Sequence, residues 1–206
     1  MQKNNYPGKF IVLEGLDGSG QSTQVGLLKD FLIEKGLKAI QTKEPTIDSE
    51  AGRKIREVLE KKIKLDHMEL QKLFAQDRKE HLENLIIPAL KRGEFVVSDR
   101  YFLSSFAYGA SDGIDLDWLI QINDDFLLPD KVFILKVKPA VCISRIEKRG
   151  MEKTLFEKEQ KLAKVWETYE ILPGRLANCT IVDGEKPIKE VFNNIKETLD
   201  ESVFAG

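Results

Sequence analysis

Cysteine and histidine are scarce in this chain, with two of each among 206 residues, and the scarcity removes whole classes of chemistry. Cys142 and Cys179 stand alone and far apart, which fits neither a disulfide framework nor zinc-ligand spacing, so both are expected as buried packing residues. Net charge is scarce too. Thirty-two Lys and Arg against 34 Asp and Glu leave −2, so there is no global positive field to hold nucleic acid or an anionic membrane. No stretch approaches the ~18 apolar residues of a membrane span. The opening Met1 to Pro7 lacks the apolar heart of a signal peptide, and a cytoplasmic protein with a small-molecule substrate is expected. No low-complexity stretch or Pro/Gly/Ser linker divides the chain, and residues 1–206 read as one domain.

What is present is a loop. Gly15-Leu16-Asp17-Gly18-Ser19-Gly20-Gln21-Ser22-Thr23 follows the apolar run Phe10 to Leu13 and precedes an amphipathic helical pattern. It matches a phosphate-cradling P-loop for ATP at every fixed position but one. The glycines let the backbone turn tightly and aim N–H groups at phosphate oxygens, the helix behind adds its positive end, and Ser22 offers a hydroxyl to Mg²⁺. The exception is the lysine position, which holds Gln21. A neutral amide donates hydrogen bonds to phosphate but cannot offset the charge that shifts during transfer.

Short apolar runs alternate with helical patterns. Phe10–Leu13, Ala39–Gln41, Phe95–Val97, Val132–Val137 and Thr180–Val182 are the strand candidates. Helices are predicted over Ser22–Lys35, over Met68–Lys91 with an interruption near Pro88, and over Ile188–Leu199. Helices between strands argue for an α/β fold: a three-layer α/β/α domain with a five-stranded parallel sheet. Ligands in such sheets bind beyond the carboxyl ends of the strands. Those ends carry the loop, Lys43-Glu44-Pro45, Asp99-Arg100-Tyr101 and, after the fourth strand, a basic segment from Arg145 to Lys158.

Asp99 can hold the waters of a nucleotide-bound Mg²⁺ beside Ser22, and Arg100 can fork two hydrogen bonds to a phosphate. Phe74 and Arg78, four apart on one helix face, pair a ring that stacks on a base with a guanidinium that reads its edge. The plainer alternative is a core Phe beside a surface Arg paired with Asp77. Hydroxyls at Ser105 and Tyr108 either line a sugar-base pocket or cap a helix. Cations at 145, 148, 149, 153 and 158 around Gly150 suit a helical lid over about 145–158 that closes on transferring phosphates, or a solvated helix pair.

Together these elements resemble the thymidylate kinase family of P-loop nucleoside-monophosphate kinases. The likeness rests on Phe10 to Thr23 with Asp17, Glu44-Pro45, Phe74 to Arg78, the run Asp99 to Tyr108, Pro129-Asp130 and Phe156-Glu157. The resemblance implies dTMP as acceptor and Mg·ATP as donor. It implies that Phe74 stacks on thymine, that Arg78 and Ser105 read its edge, and that Tyr108 crowds the sugar. It implies a grip on the acceptor phosphate by Arg100, with Asp17 orienting either the sugar hydroxyl or that arginine, and Glu44, Pro45 and Ser104 around the dTMP site. Arg145, Arg149 and Lys153 would neutralise the transferring group, and Gln21 would stand in for the loop lysine. A homodimer is implied as well. The chain departs from the family pattern at Gln21, at Thr154-Leu155 in place of Asp-Arg, and at Gly109 in place of Gln. Two alternatives stay open on sequence: a nucleotide-binding protein with weak or lost transfer, and a kinase for another nucleoside or nucleotide.

Overall fold

The computed structural model describes residues 1–148, 155–176 and 178–199. Five parallel strands, β1 (Phe10–Gly15), β2 (Ala39–Lys43), β3 (Phe95–Asp99), β4 (Lys131–Lys136) and β5 (Cys179–Asp183), form one sheet in the order β2-β3-β1-β4-β5. All five strand candidates are present, with bounds shifted by one or two residues, and Val137 lies just past β4. β1 is central and buried along its whole length. Its side chains alternate between two cores, as a pleated strand demands. Ile11 and Leu13 join Val25, Leu28 and Leu32 of α1 (Gln21–Glu34) and Val191, Ile195 and Leu199 of α9 (Ile188–Leu199). Phe10 and Val12 face the opposite core, built with Leu103 and Phe106 of α5 (Phe102–Ser111) and Val165 of α8 (Leu155–Ile171). The two cores make three layers.

The long helical pattern is broken earlier than Pro88. It resolves into α3 (His67–His81), a wide π-helical turn over Leu82–Ile86, and α4 (Ile87–Lys91). Proline lacks an N–H and its ring collides with the carbonyl four residues back. The chain widens ahead of it, and the Ile87 N–H reaches the carbonyl of Leu82, five residues away. Three further α-helices, α2 (Glu50–Leu59), α6 (Leu116–Gln121) and α7 (Pro139–Glu147), and a 3-10 turn over Leu172–Gly174 complete the described chain. Among the described residues no helix is long and apolar enough to cross a membrane. Cys142 is fully buried, whereas Cys179, expected inside, is only half-buried; burial pushes both thiols up to about 12.

Asp77 does not pair with Arg78. Its buried carboxylate accepts from the Thr46 amide (2.8 Å) and from the hydroxyls of Thr46 and Ser49, and Ser49 caps α2 through the Gly52 amide. The turn after Glu44-Pro45 is thereby fastened to α3. Gly52 sits where this knot is tightest: a Cβ there would run into the Thr46 carbonyl and stand 2.8 Å from Asp77 Oδ1. Gly52→Ala gains about 1 kcal/mol of helix propensity. Overpacking against backbone outweighs that gain, and a net loss of about 1–3 kcal/mol is expected as a lower urea midpoint. An unchanged midpoint would contradict the packing described.

Candidate active site

The loop between β1 and α1 is pressed against its neighbours where only glycine fits. Gly15 has φ +148°, and a Cβ there would lie 2.9 Å from the Leu135 carbonyl; Gly18 has φ +87°, with the Cys142 carbonyl at 2.6 Å from the same hypothetical atom. Leu16 and Ser19 are buried beneath the loop, while Asp17, Ser22 and Thr23 are exposed. Gly20 precedes α1 in the left-handed region and gives it no side-chain cap. No described residue accepts from the Gln21 and Ser22 amides, so the positive end of α1 remains available to an anion. The Gln21 side chain is buried, and its amide donates to the Gly15 carbonyl at 2.9 Å. It braces the loop from below. Ser22 Oγ donates to Asp99 Oδ2, which also receives the Lys43 ammonium at 3.0 Å.

Arg100 stands at the end of β3 with φ +76°, a strained conformation for a side-chain-bearing residue and one that clusters at functional sites. Its Nη2 donates to Asp17 Oδ1 at 2.7 Å and its Nη1 to Ser104 Oγ at 2.8 Å, while the guanidinium lies 5.3 Å from the Tyr108 ring centre. Burial works against its charge, but the oxygen groups of Tyr108, Asp17, Tyr169 and Glu14 more than compensate and hold it well above the usual guanidinium value. Tyr108 Oη accepts from the Asp17 amide at 3.0 Å, which ties the loop to α5.

Below Arg100 lies Glu14, fully buried in β1. Tyr101, the residue before α5, has no capping side chain, and Glu14 supplies the cap from across the sheet: Oε1 accepts from the amides of Tyr101 (2.9 Å) and Ser104 (3.2 Å). Oε2 accepts from the hydroxyls of Ser104 and Tyr169, the latter at 2.9 Å. Burial holds the Glu14 carboxyl above the usual glutamate range, and Arg100, Ser104, Tyr169 and the Tyr101 amide offset only part of that rise.

Arg78 is buried to 1 % exposure, so it is not a surface residue. Its Nε donates to Glu44 Oε2 at 2.9 Å, its Nη1 to Asn123 Oδ1 at 2.5 Å, and its Nη2 to Ser105 Oγ at 3.1 Å. Tyr101 and Phe126 flank the guanidinium at 5.3 and 5.9 Å. Glu44 therefore faces inward, where its other oxygen accepts from His81 Nδ1 at 3.1 Å. Phe74, one turn before Arg78, is half-buried, as is Pro45. Ser105 takes part in no helix cap; it accepts from Arg78, and Glu14 performs the capping.

Arg145 of α7 lies along the loop, its two nitrogens each 3.2 Å from a carbonyl, those of Ser19 and Gly184. It closes one wall of a 440 Å³ cavity lined also by Gly18, Gly20, Thr23 and Gln24 on one side and Gly184 to Ile188 on the other. A larger cavity of 850 Å³ lies at the β2 edge and meets the loop only at Ser22, beside Lys43 and Asp99 at the ends of β2 and β3. Arg149, Lys153 and the rest of the predicted lid between α7 and α8 lie outside the described residues. Sequence reasoning passed over Glu14, His81, Asn123 and Tyr169. Glu14 alone had a signal, a carboxylate inside an otherwise apolar strand.

The chain matches the family model described as thymidylate kinase over residues 13–195. It is 40 % identical to the probable thymidylate kinase of Pyrococcus horikoshii over 91 % of this chain and 94 % of that protein. The thymidylate kinase of Desulfotalea psychrophila is 40 % identical, covering 95 % and 98 %. That of Caldicellulosiruptor saccharolyticus is 36 % identical, covering 94 % and 97 %.

Tyr169 anchors α8 to Glu14 through one hydroxyl. Tyr169→Phe leaves the ring in place and removes a donor from a buried carboxylate, so a loss of about 1.5–3 kcal/mol in unfolding free energy is expected by urea titration. A variant as stable as the parent would show that this hydroxyl does not support Glu14.

Proposed function

The chain belongs to the thymidylate kinase family, and from that membership we propose that it transfers the γ-phosphoryl group of ATP to dTMP, giving ADP and dTDP. The carrying observation is Arg100, a strained, charge-retaining guanidinium at a strand end, aimed by Asp17 and Ser104. A fork of this kind suits two oxygens of an acceptor phosphate. Phosphoryl transfer needs little from a protein beyond positioning and charge stabilisation, and both are what these residues supply.

On this reading the loop amides from Gly15 to Thr23 and the start of α1 hold the donor phosphates. Gln21 releases or keeps its bond to Gly15 while offering no charge. The adenine end lies toward Arg145 and the cavity beside Gly184 to Ile188. Phe74 presents a ring to thymine, and Ser105 and Arg78, held flat by Glu44 and Asn123, face its edge. Tyr108, fixed by the Asp17 amide, limits room beside the sugar. Arg149 and Lys153 act as lid cations.

Hard oxygen donors at Ser22 and Asp99 suit Mg²⁺, which favours one or two protein ligands together with phosphates and water. Asp99 already attracts a positive group in Lys43, so the carboxylate is placed for a cation. When bound, Mg²⁺ supplies charge neutralisation between the phosphates. The same reading includes a two-fold homodimer and a cytoplasmic location, without nucleic-acid or membrane partners.

Purified protein with Mg·ATP should form ADP in a coupled assay only when dTMP is added, and faster than with dUMP, dCMP or thymidine. Equal or absent response to dTMP would overturn the reading. Arg100→Ala should lower kcat/KM for dTMP by about 10²–10³, as loss of a preorganised phosphate contact does. Phe74→Leu keeps the apolar bulk but loses base stacking, so KM for dTMP should rise roughly tenfold with KM for ATP unchanged. Equal effects on both substrates would make Phe74 a packing residue.

A further inference from the structure

The phosphate loop of this chain has no cation of its own. Gln21 stands at the lysine position, neutral, buried and turned onto the Gly15 carbonyl. Among the described residues, three cations reach the loop or its metal-side carboxylate. Arg100 is held by Asp17 and Ser104 on the acceptor side, and Arg145 lies on the carbonyls of Ser19 and Gly184. The third is Lys43.

Lys43 ends β2, and the parallel register pairs it with Asp99 at the end of β3. Its Nζ lies 3.0 Å from Asp99 Oδ2, the same oxygen that accepts from Ser22 Oγ. The ammonium is therefore a second neighbour of the hydroxyl that begins α1. Its side chain is 58 % exposed, against 5 % for Asp99, and it faces the 850 Å³ cavity that Ser22, Val25 and Asp99 also line. It has room to move. A lysine combines a compact charge, three donors and a four-carbon stem, the properties by which a loop lysine serves phosphates.

We propose that Lys43 supplies the cation that the phosphate loop lacks. It rests on Asp99, yields that carboxylate to the divalent cation, and bonds a β- or γ-oxygen of ATP. Two positive groups on one carboxylate oxygen repel each other, so Lys43 would leave Asp99 for the nearest negative charge if Asp99 and Ser22 held a divalent ion. That charge is the nucleotide held by the Ser22 end of α1. The inference rests on the proposed ATP-dependent transfer and deepens it by assigning the missing charge to a residue of β2.

Lys43→Gln, Gln21→Lys and the double variant test it, with folding checked by thermal melts. Two readouts are needed: dTMP-dependent turnover, and the dissociation constant for ATP by calorimetry with EDTA and again with Mg²⁺. Lys43→Gln should lower kcat by about 10²-fold with KM for dTMP unchanged, and weaken ATP roughly tenfold with Mg²⁺ but far less in EDTA, where the ammonium stays on Asp99. It should also lower the Mg²⁺ concentration needed for half-maximal ATP binding, because the competitor for Asp99 is gone. Gln21→Lys should restore most of the turnover to Lys43→Gln. Unchanged turnover and ATP affinity in Lys43→Gln would overturn the proposal, as would failure of Gln21→Lys to rescue it. If the parent protein does not phosphorylate dTMP, the kinase reading fails, while the difference in ATP affinity between the Mg²⁺ and EDTA arms still decides the role of Lys43.

Discussion

A carboxylate with no access to water organises the carboxyl end of the sheet. Glu14 lies in the central strand, where an uncompensated charge would cost several kcal/mol. The structure surrounds it with four donors from two places: two amides and a hydroxyl at the start of α5, and a hydroxyl from α8. Each donor satisfies Glu14, and each is itself fixed by doing so. Ser104 then receives Arg100, so the orientation of that guanidinium descends from a carboxylate with which it shares no hydrogen bond. The same interaction fastens the C-terminal part of α8 to β1.

A second buried polar network has the same logic. Glu44 binds Arg78 and His81, and Asn123 and Ser105 take the remaining sides of the guanidinium. A buried ion pair of this kind contributes little net stability, but loss of either partner strands the other. Its return is direction: the Arg78 plane is held by three partners. The two networks meet in α5, which carries Ser104 for one and Ser105 for the other.

Much of this was legible in the sequence because the signals were local. The loop glycines, the apolar strands and the residues just past each strand are read from a few consecutive letters, and those strand ends do converge. The interruption expected near Pro88 is a π turn over Leu82–Ile86, just ahead of the proline, because proline disturbs the turn before it. Arg78 was weighed against an Asp77 partner because the two are adjacent. Adjacent helical residues point apart, and Asp77 instead anchors Thr46 and Ser49. Asn123, His81 and Tyr169 carried no signal, because their partners are 37 to 155 residues away in the chain. Gly109, a departure from the family pattern, has a local reason: a Cβ there would stand 2.8 Å from Leu119 Cδ1.

The central claim is spatial: Arg100, Phe74 and the phosphate loop form one site, with the acceptor phosphate at Arg100 and the donor phosphates on the loop. A crystal structure with dTMP and a non-hydrolysable ATP analogue tests it most directly. The account predicts both Arg100 terminal nitrogens within hydrogen-bond distance of the dTMP phosphate, thymine stacked on Phe74, and the analogue's phosphates on the amides before α1. A dTMP phosphate bound away from Arg100, or thymine outside the Phe74 and Arg78 pocket, would contradict it.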